Sequence, residues 1–148
     1  MSNYARNKRA HFDFEILKTF EAGLVLLGTE VKSIRNGQVK LDGAHVIVRG
    51  AEAYLVGSHI SAFQPVNTFK GYDSERPRKL LLSKKELGVI DRESAQAGLT
   101  AIALSLYSKG GKIKLEFAIA RGKKQADKRE SIKARDVKRE IDRTLKNQ

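Results

Sequence analysis

The residues that could do chemistry in this chain are three histidines, 17 carboxylates and 29 lysines and arginines. His11, His45 and His59 are too scattered to pair on one helical turn around a metal, and with no Cys there is no thiolate to join them. A GxSxG elbow, a phosphate-cradling GxxxxGK(S/T) loop and a dinucleotide fingerprint are all lacking, and the acids are mostly interleaved with the bases. The pattern therefore predicts no catalytic residues, no metal and no cofactor. A metal-dependent nuclease built on dispersed carboxylates is the weaker alternative.

What remains is charge. Residues 121–148 hold 11 Lys and Arg against five acids, a net +6 and half of the chain's +12 in a fifth of its length. After Gly122 this segment has neither Gly nor Pro. It carries too little apolar surface to offset its ordering entropy, so it is predicted to be disordered when free and to order against a polyanion. Lys and Arg gain affinity for phosphate by releasing counterions, which points to nucleic acid. Anionic lipid would attract the same charge. The thin stripe of Ala134, Val137, Ile141 and Leu145, spaced 3, 4, 4, contains no aromatic residue, however, so a membrane role ranks below RNA. The stripe also favours helix formation on binding, because an amphipathic face gains little alone but can pack against a partner.

The elements that must position any binding residues lie in the first 120 residues, enough for one closed core. Phe12, Phe14 and Ile16 alternate, as do Phe20, Ala22, Leu24 and Leu26, and both runs read as strands. Thr29 is a candidate N-cap for a helix over 30–36, with Gly37 to end it. Short strands follow at 44–48 and 53–57, turning at Arg49 and Gly50. Residues 64–78, with two prolines, read as a loop. Ser83 and Glu86 form a capping box, with Leu82 and Leu87 as its staple, so a helix starts at Lys84 and ends near Gly98. Ile102, Leu104 and Leu106 alternate before the turn SKGGK; Ile113, Leu115, Phe117 and Ile119 alternate after it, a long antiparallel hairpin. The expected fold is mainly β: a closed antiparallel barrel with two or three short flanking helices over 1–120, then the basic tail 121–148. The longest apolar run, 22–27, is far short of the roughly 20 residues of a membrane span, and the start MSNYARNKRA lacks a secretory signal's apolar stretch. Together with the absence of Cys, this predicts a soluble, cytoplasmic protein.

Six strings in register bring these features together: NKRA at 7–10, FEAG at 20–23, GTEVKSIR at 28–35, RKLLL at 78–82, GKK at 122–124 and DKRE at 127–130. In this order and spacing the chain resembles the SmpB family, the SsrA-binding proteins that partner transfer-messenger RNA. The resemblance runs from about Asn7 to the C-terminus. It implies an oligonucleotide-binding (OB)-like barrel that grips the tRNA-like domain of transfer-messenger RNA (tmRNA), and no enzymatic activity. It also implies partners in trans-translation: the stalled 70S ribosome with its small-subunit ribosomal RNA, and elongation factor Tu with GTP, reached through the RNA. In that family the tail fills the empty messenger channel and the unfinished peptide acquires a degradation tag.

By the same resemblance, Asn7, Glu21, Leu81 and Lys114 match positions that hold the tRNA-like elbow. An amide and a carboxylate can bond base edges or ribose hydroxyls, a lysine can neutralise phosphate, and an exposed leucine can pack on an unstacked base. Spacing alone favours ordinary roles: a solvated strand position for Glu21, a core side chain for Leu81, the polar side of an alternation for Lys114. The resemblance reverses this for Glu21 and Lys114, leaves Leu81 evenly balanced, and is the sole support for Asn7. Lys8, Arg9, Lys32 and Arg35 are candidate phosphate contacts that would extend the basic surface, against the ordinary reading of exposed cations without a specific contact, while Phe12 and Phe14 read as core rather than stacking platforms. In the tail, Gly122, Lys123, Lys124, Asp127, Lys128, Arg129, Lys133 and Arg135 match the family's ribosome-engaging pattern. The chain departs from that pattern at Phe12-Asp13-Phe14, where a His-acidic-Tyr segment is usual, at Lys40 for Asn and at Ser83 for His. It departs most sharply at Ala126, where an aromatic or His is common.

Overall fold

A computed structural model describes residues 3–64 and 70–123. The period-two runs become strands, though not with the boundaries their alternation suggests. In chain order the elements are β1 (Asn3–Arg6), α1 (Ala10–Asp13), β2 (Phe14–Leu24), α2 (Gly28–Arg35), β3 (Val39–Lys40), β4 (His45–Arg49), β5 (Glu52–Val56) and β6 (His59–Ile60). After these come β7 (Arg78–Leu81), α3 (Lys84–Ser94), β8 (Leu99–Lys109) and β9 (Lys112–Gly122). Among the described residues the protein is mainly β with three helices, as expected. The antiparallel pairings run β8–β4–β5–β7–β2–β9 and return from β9 to β8, a ring of six strands with β1 hung on β8. β3 and β6 pair separately.

The main core draws Ala22, Val46, Ala53, Leu55, Leu80, Ala103, Leu106, Leu115 and Phe117 from the ring, with Ile34 from α2 and Ile90 from α3. A second, smaller core lies on the opposite face of β2, β8 and β9: Ile102, Leu104, Ala118 and Ala120, flanked by Phe14 and Ile16 and covered by Ala10 of α1. Two β-bulges account for the pair of cores. The β2–β9 register shifts between Ile16 and Lys18, and the β8–β9 register shifts between Ala103 and Ser105. One extra residue in a strand exchanges its two faces from that point on. The predicted alternation of Ile102, Leu104 and Leu106 therefore breaks, with the first two in the small core and Leu106 in the main one. Likewise the two predicted N-terminal strands are a single strand, β2, preceded by a helical turn that takes in Phe12.

The caps show where local signals sufficed. The Ser83 hydroxyl accepts from the Glu86 N–H at 3.2 Å and the Glu86 carboxylate accepts from the Ser83 N–H at 3.2 Å, the expected box. Leu82 and Leu87 both pack on the main core. α3 ends at Ser94, short of Gly98, whose φ of +80° instead turns the chain into β8. Thr29 is not the N-cap of α2. The Glu30 carboxylate accepts from the Leu27 N–H at 2.9 Å, so the helix starts earlier, at Gly28.

Glu30 does more than cap. Its side chain is wholly buried, as is that of Arg78, which donates from Nη2 to Glu30 Oε2 at 2.6 Å and from Nε at 2.9 Å. Arg76 donates to both Glu30 oxygens, and the Tyr72 hydroxyl lies 3.0 Å from Oε2. Arg78 also reaches the Ser58 carbonyl and hydroxyl, both at 3.2 Å, and the Ser74 carbonyl at 3.0 Å. Among the described residues no buried side-chain polar atom lacks a partner. The segment read as a loop through residue 78 thus ends one residue sooner, with Arg78 opening β7 as a buried charge.

Burial raises the Glu30 carboxyl pKa, but the bonds from Arg76, the Leu27 N–H and Arg78 outweigh it and hold the group below the usual carboxylate range. A depressed folded value contributes stability above the unfolded value of about 4.3, and that contribution is lost as pH falls through the folded value. Removing one partner of a buried pair typically costs about 3 to 5 kcal/mol, so Glu30→Gln is expected to lower the urea-unfolding free energy by that order. A change below about 1 kcal/mol, the range of an exposed pair, would show that the network contributes little.

Candidate nucleic-acid interface

Beyond the two bulges, the outward faces of β2, β8 and β9 become polar. Register places the residues in rows: Gly23 lies opposite Leu81 of β7 on one side and Lys114 of β9 on the other, and Lys114 lies opposite Tyr107 of β8, which pairs with Asn3 of β1. Two residues back along β2, Glu21 lies opposite Glu116, which lies opposite Ser105. Side chains two apart on a strand share a face, so Glu21, Lys114 and Leu81 stand together across three strands. Leu81 is 56% exposed and therefore not core, which decides between its two readings in favour of a surface position.

Glu21 is held in place. The Tyr107 hydroxyl donates to its Oε2, and Lys109 Nζ donates to its Oε1 at 3.2 Å. Like charges directly opposite are unfavourable, and the Tyr107 bond with the cations Lys109 and Lys114 offsets the Glu21–Glu116 pairing. The hydrogen bond from Tyr107, ahead of Lys109 and Lys114, keeps the Glu21 carboxyl below its ordinary pKa. Tyr107 shifts the opposite way, well above the usual phenol value, through burial and its bond to Glu21. The result is a fixed anion that accepts from donors such as ribose hydroxyls and base amino groups.

Asn7 and Glu21 line one concavity of about 680 Å³ with Lys8, Tyr107, Lys109 and Glu116. The Asn7 amide Nδ2 donates to the Ala103 carbonyl at 3.1 Å and its backbone N–H to the Leu104 carbonyl at 2.8 Å. It thus ties the turn before α1 to the bulge of β8, and its carboxamide is only partly available to a ligand. All four predicted positions therefore share one side of the ring. Tyr107 and Lys109, which organise Glu21, were missed by sequence reasoning. The available signal was the alternation of Ser105, Tyr107 and Lys109 on the face opposite Leu106, but their partner Glu21 lies 86 and 88 positions away, which no local pattern shows.

The flanking cations are dispersed. The Arg9 guanidinium sits 4.9 Å from the Phe12 ring centroid and pairs with Asp13, Lys32 Nζ lies 5.7 Å from the Phe63 ring, and Arg35 donates to the Gly111 carbonyl at 3.2 Å. Phe14 packs in the second core, as expected. Of the tail positions, Gly122 closes β9 opposite Phe14, while Lys123 donates its backbone N–H to Asp13 O and its ammonium to His11 O, both at 2.8 Å. Lys124, Asp127, Lys128, Arg129, Lys133 and Arg135, with Ala126, lie outside the described residues.

A family model described as SmpB protein matches residues 4–147. The chain belongs to the SmpB family. A curated SsrA-binding protein of Enterococcus hirae is 46% identical over 143 residues, covering 97% of this chain and 92% of that protein. The SsrA-binding protein of Prochlorococcus marinus subsp. pastoris is 49% identical over 142 residues, covering 96% and 81%. A solved chain described as "tmRNA-SmpB: a journey to the center of the bacterial ribosome" superposes with a TM-score of 0.68 at 38% identity, over 86% of this chain and 92% of that one.

The Tyr107–Glu21 bond yields a direct test. Carboxyl-carbon NMR should show Glu21 titrating below about pH 4.3, the ordinary Glu value, and Tyr107→Phe should move the midpoint upward. An unmoved midpoint would mean that the phenol does not set the charge of Glu21.

Proposed function

We propose that this chain binds the tRNA-like domain of transfer-messenger RNA and acts in trans-translation, delivering the alanyl-charged RNA to stalled ribosomes, where it stands in for the missing codon and anticodon stem. The observation that carries this reading is the convergence of Glu21, Lys114 and Leu81 on one sheet face, with Asn7 on the same side, in a member of the SmpB family. A fixed carboxylate, a cation and an exposed apolar side chain offer a folded RNA a hydroxyl acceptor, a phosphate partner and a surface for an unstacked base. The protein works as an RNA-binding partner and not as an enzyme.

The finer reading treats the strand ring as an OB-like closed barrel that does the reading, with residues 121–148 as the ribosome-engaging arm. Gly122, Lys123, Lys124, Asp127, Lys128, Arg129, Lys133 and Arg135 then meet small-subunit ribosomal RNA. Because β9 extends to Gly122 and Lys123 is bonded to α1, the first residues of the arm, 121–123, are shared with the folded ring. Elongation factor Tu with GTP joins through the RNA, in the cytoplasm.

The test compares the full chain with a chain stopped after Lys123. Both are titrated with the tRNA-like domain, with excess ordinary tRNA as competitor and across a salt series. Both should bind selectively with affinities within about tenfold, the shorter chain having a shallower salt slope because each lost phosphate contact removes about 0.7 to 0.9 from it. Selectivity that is absent, or that vanishes with residues 124–148, would replace this reading with general RNA binding.

A further inference from the structure

Gly23 is the point where Leu81 and Lys114 meet. The bases of these two side chains stand on strands to either side of β2, and strands are spaced about 4.8 Å apart, so they start roughly 9.6 Å from each other. Their tips nevertheless converge: a Cβ placed on Gly23 would lie 3.4 Å from Leu81 Cδ1, 3.6 Å from Lys114 Nζ and 3.7 Å from Leu81 Cβ. Gly23 is itself buried, whereas Leu81 beside it is exposed. The backbone does not call for glycine here. Gly23 lies inside a strand and is absent from the glycines with positive φ, and glycine weakens a strand interior. What the position supplies is the missing side chain.

We propose that Gly23 is a positioning residue for RNA recognition. By leaving the centre of the row empty, it lets the Leu81 methyl and the Lys114 ammonium lean together into one platform that seats a single unstacked nucleotide. The base lies on Leu81 and its phosphate faces Lys114. Val25, one residue past the end of β2, donates its N–H to the Lys79 carbonyl at 2.9 Å and is 48% exposed, adding apolar surface close to Leu81. The inference rests on the RNA-binding reading above and deepens it, because it makes two contacts act as one site through a residue that touches no RNA.

The space available sets a graded expectation. An alanine methyl group at Gly23 makes only ordinary contacts, while valine adds two further carbons to a space already bounded by Leu81 Cδ1 and Lys114 Nζ and is expected to push them apart. All three nearest atoms belong to side chains, so the strand itself is not obstructed. Valine also favours strands, and Gly23→Val is therefore expected to leave the melting temperature unchanged or raised.

The experiment measures affinity for the tRNA-like domain, its salt slope and thermal stability for Gly23→Ala, Gly23→Val, Leu81→Ala, Lys114→Ala and their combinations. Base stacking and phosphate contact together set the expected loss for Gly23→Val at about tenfold or more, with a smaller loss for Gly23→Ala. Adding Gly23→Val to the Leu81→Ala and Lys114→Ala double variant should cost nothing further, and the Leu81→Ala and Lys114→Ala losses should be non-additive. Unchanged affinity in Gly23→Val, an undiminished loss in the double-variant background, or strictly additive losses for Leu81 and Lys114 would each overturn the proposal. If Gly23→Val fails to fold, the Leu81 and Lys114 cycle decides alone. A parent chain that does not prefer the tRNA-like domain over ordinary tRNA removes the RNA-binding reading itself, whereas a selective parent with an indifferent Gly23→Val removes only this inference.

Discussion

The buried pairing of Glu30 with Arg78 is the constraint on which the rest depends. Glu30 sits at the start of α2, just after β2, and Arg78 opens β7, the strand that pairs with the end of β2. A charge in a low-dielectric interior is tolerable only when its opposite is fixed against it and every remaining donor is satisfied. Here Arg76, Tyr72, Ser58 and the Ser74 carbonyl complete that requirement. The consequence reaches the binding face. With Arg78 held, β7 lies in register with β2 and Leu81 falls opposite Gly23.

Two single-residue insertions then divide the molecule's outer surface into regions with different tasks. Before the bulges at Ile16/Lys18 and Ala103/Ser105, the outward faces of β2 and β8 are apolar and α1 covers them. Beyond the bulges, toward the β8–β9 turn, the outward face carries Glu21, Tyr107, Lys109 and Lys114, joined by hydrogen bonds and charge. The same sheet thereby anchors its N-terminal helix at one end and presents a polar, basic surface at the other. Asn7 stands at the join, spending its amide on the bulged strand while lining the concavity beside Glu21.

What was legible in the sequence follows from how local each signal is. The Ser83–Glu86 box and the β8–β9 hairpin with its paired glycines are written in adjacent residues, and both form as expected. The bulges are not so written, because a period-two pattern carries no mark of an extra residue, and Ile102, Leu104 and Leu106 looked like one face. Thr29 had the right chemistry for a cap, but the N-cap position falls at Leu27, whose N–H the Glu30 carboxylate takes. The buried Arg78 was hidden among polar loop residues, since its partner lies 48 positions away. At the site, spacing alone favoured ordinary roles for Glu21, Leu81 and Lys114. The family resemblance singled them out, with Glu21 and Leu81 inside its motifs and Lys114 outside them, while Tyr107, which fixes Glu21, emerged only from strand pairing.

The central claim is that one face, spanning β7, β2, β9 and β8, reads the RNA. Hydrogen-exchange footprinting of the full chain, free and saturated with the tRNA-like domain, tests it most directly. The account predicts new protection concentrated in β7, the second half of β2 and the turn-proximal ends of β8 and β9, with α3 unchanged. Protection confined to 124–148, or spread evenly over the ring, would contradict it.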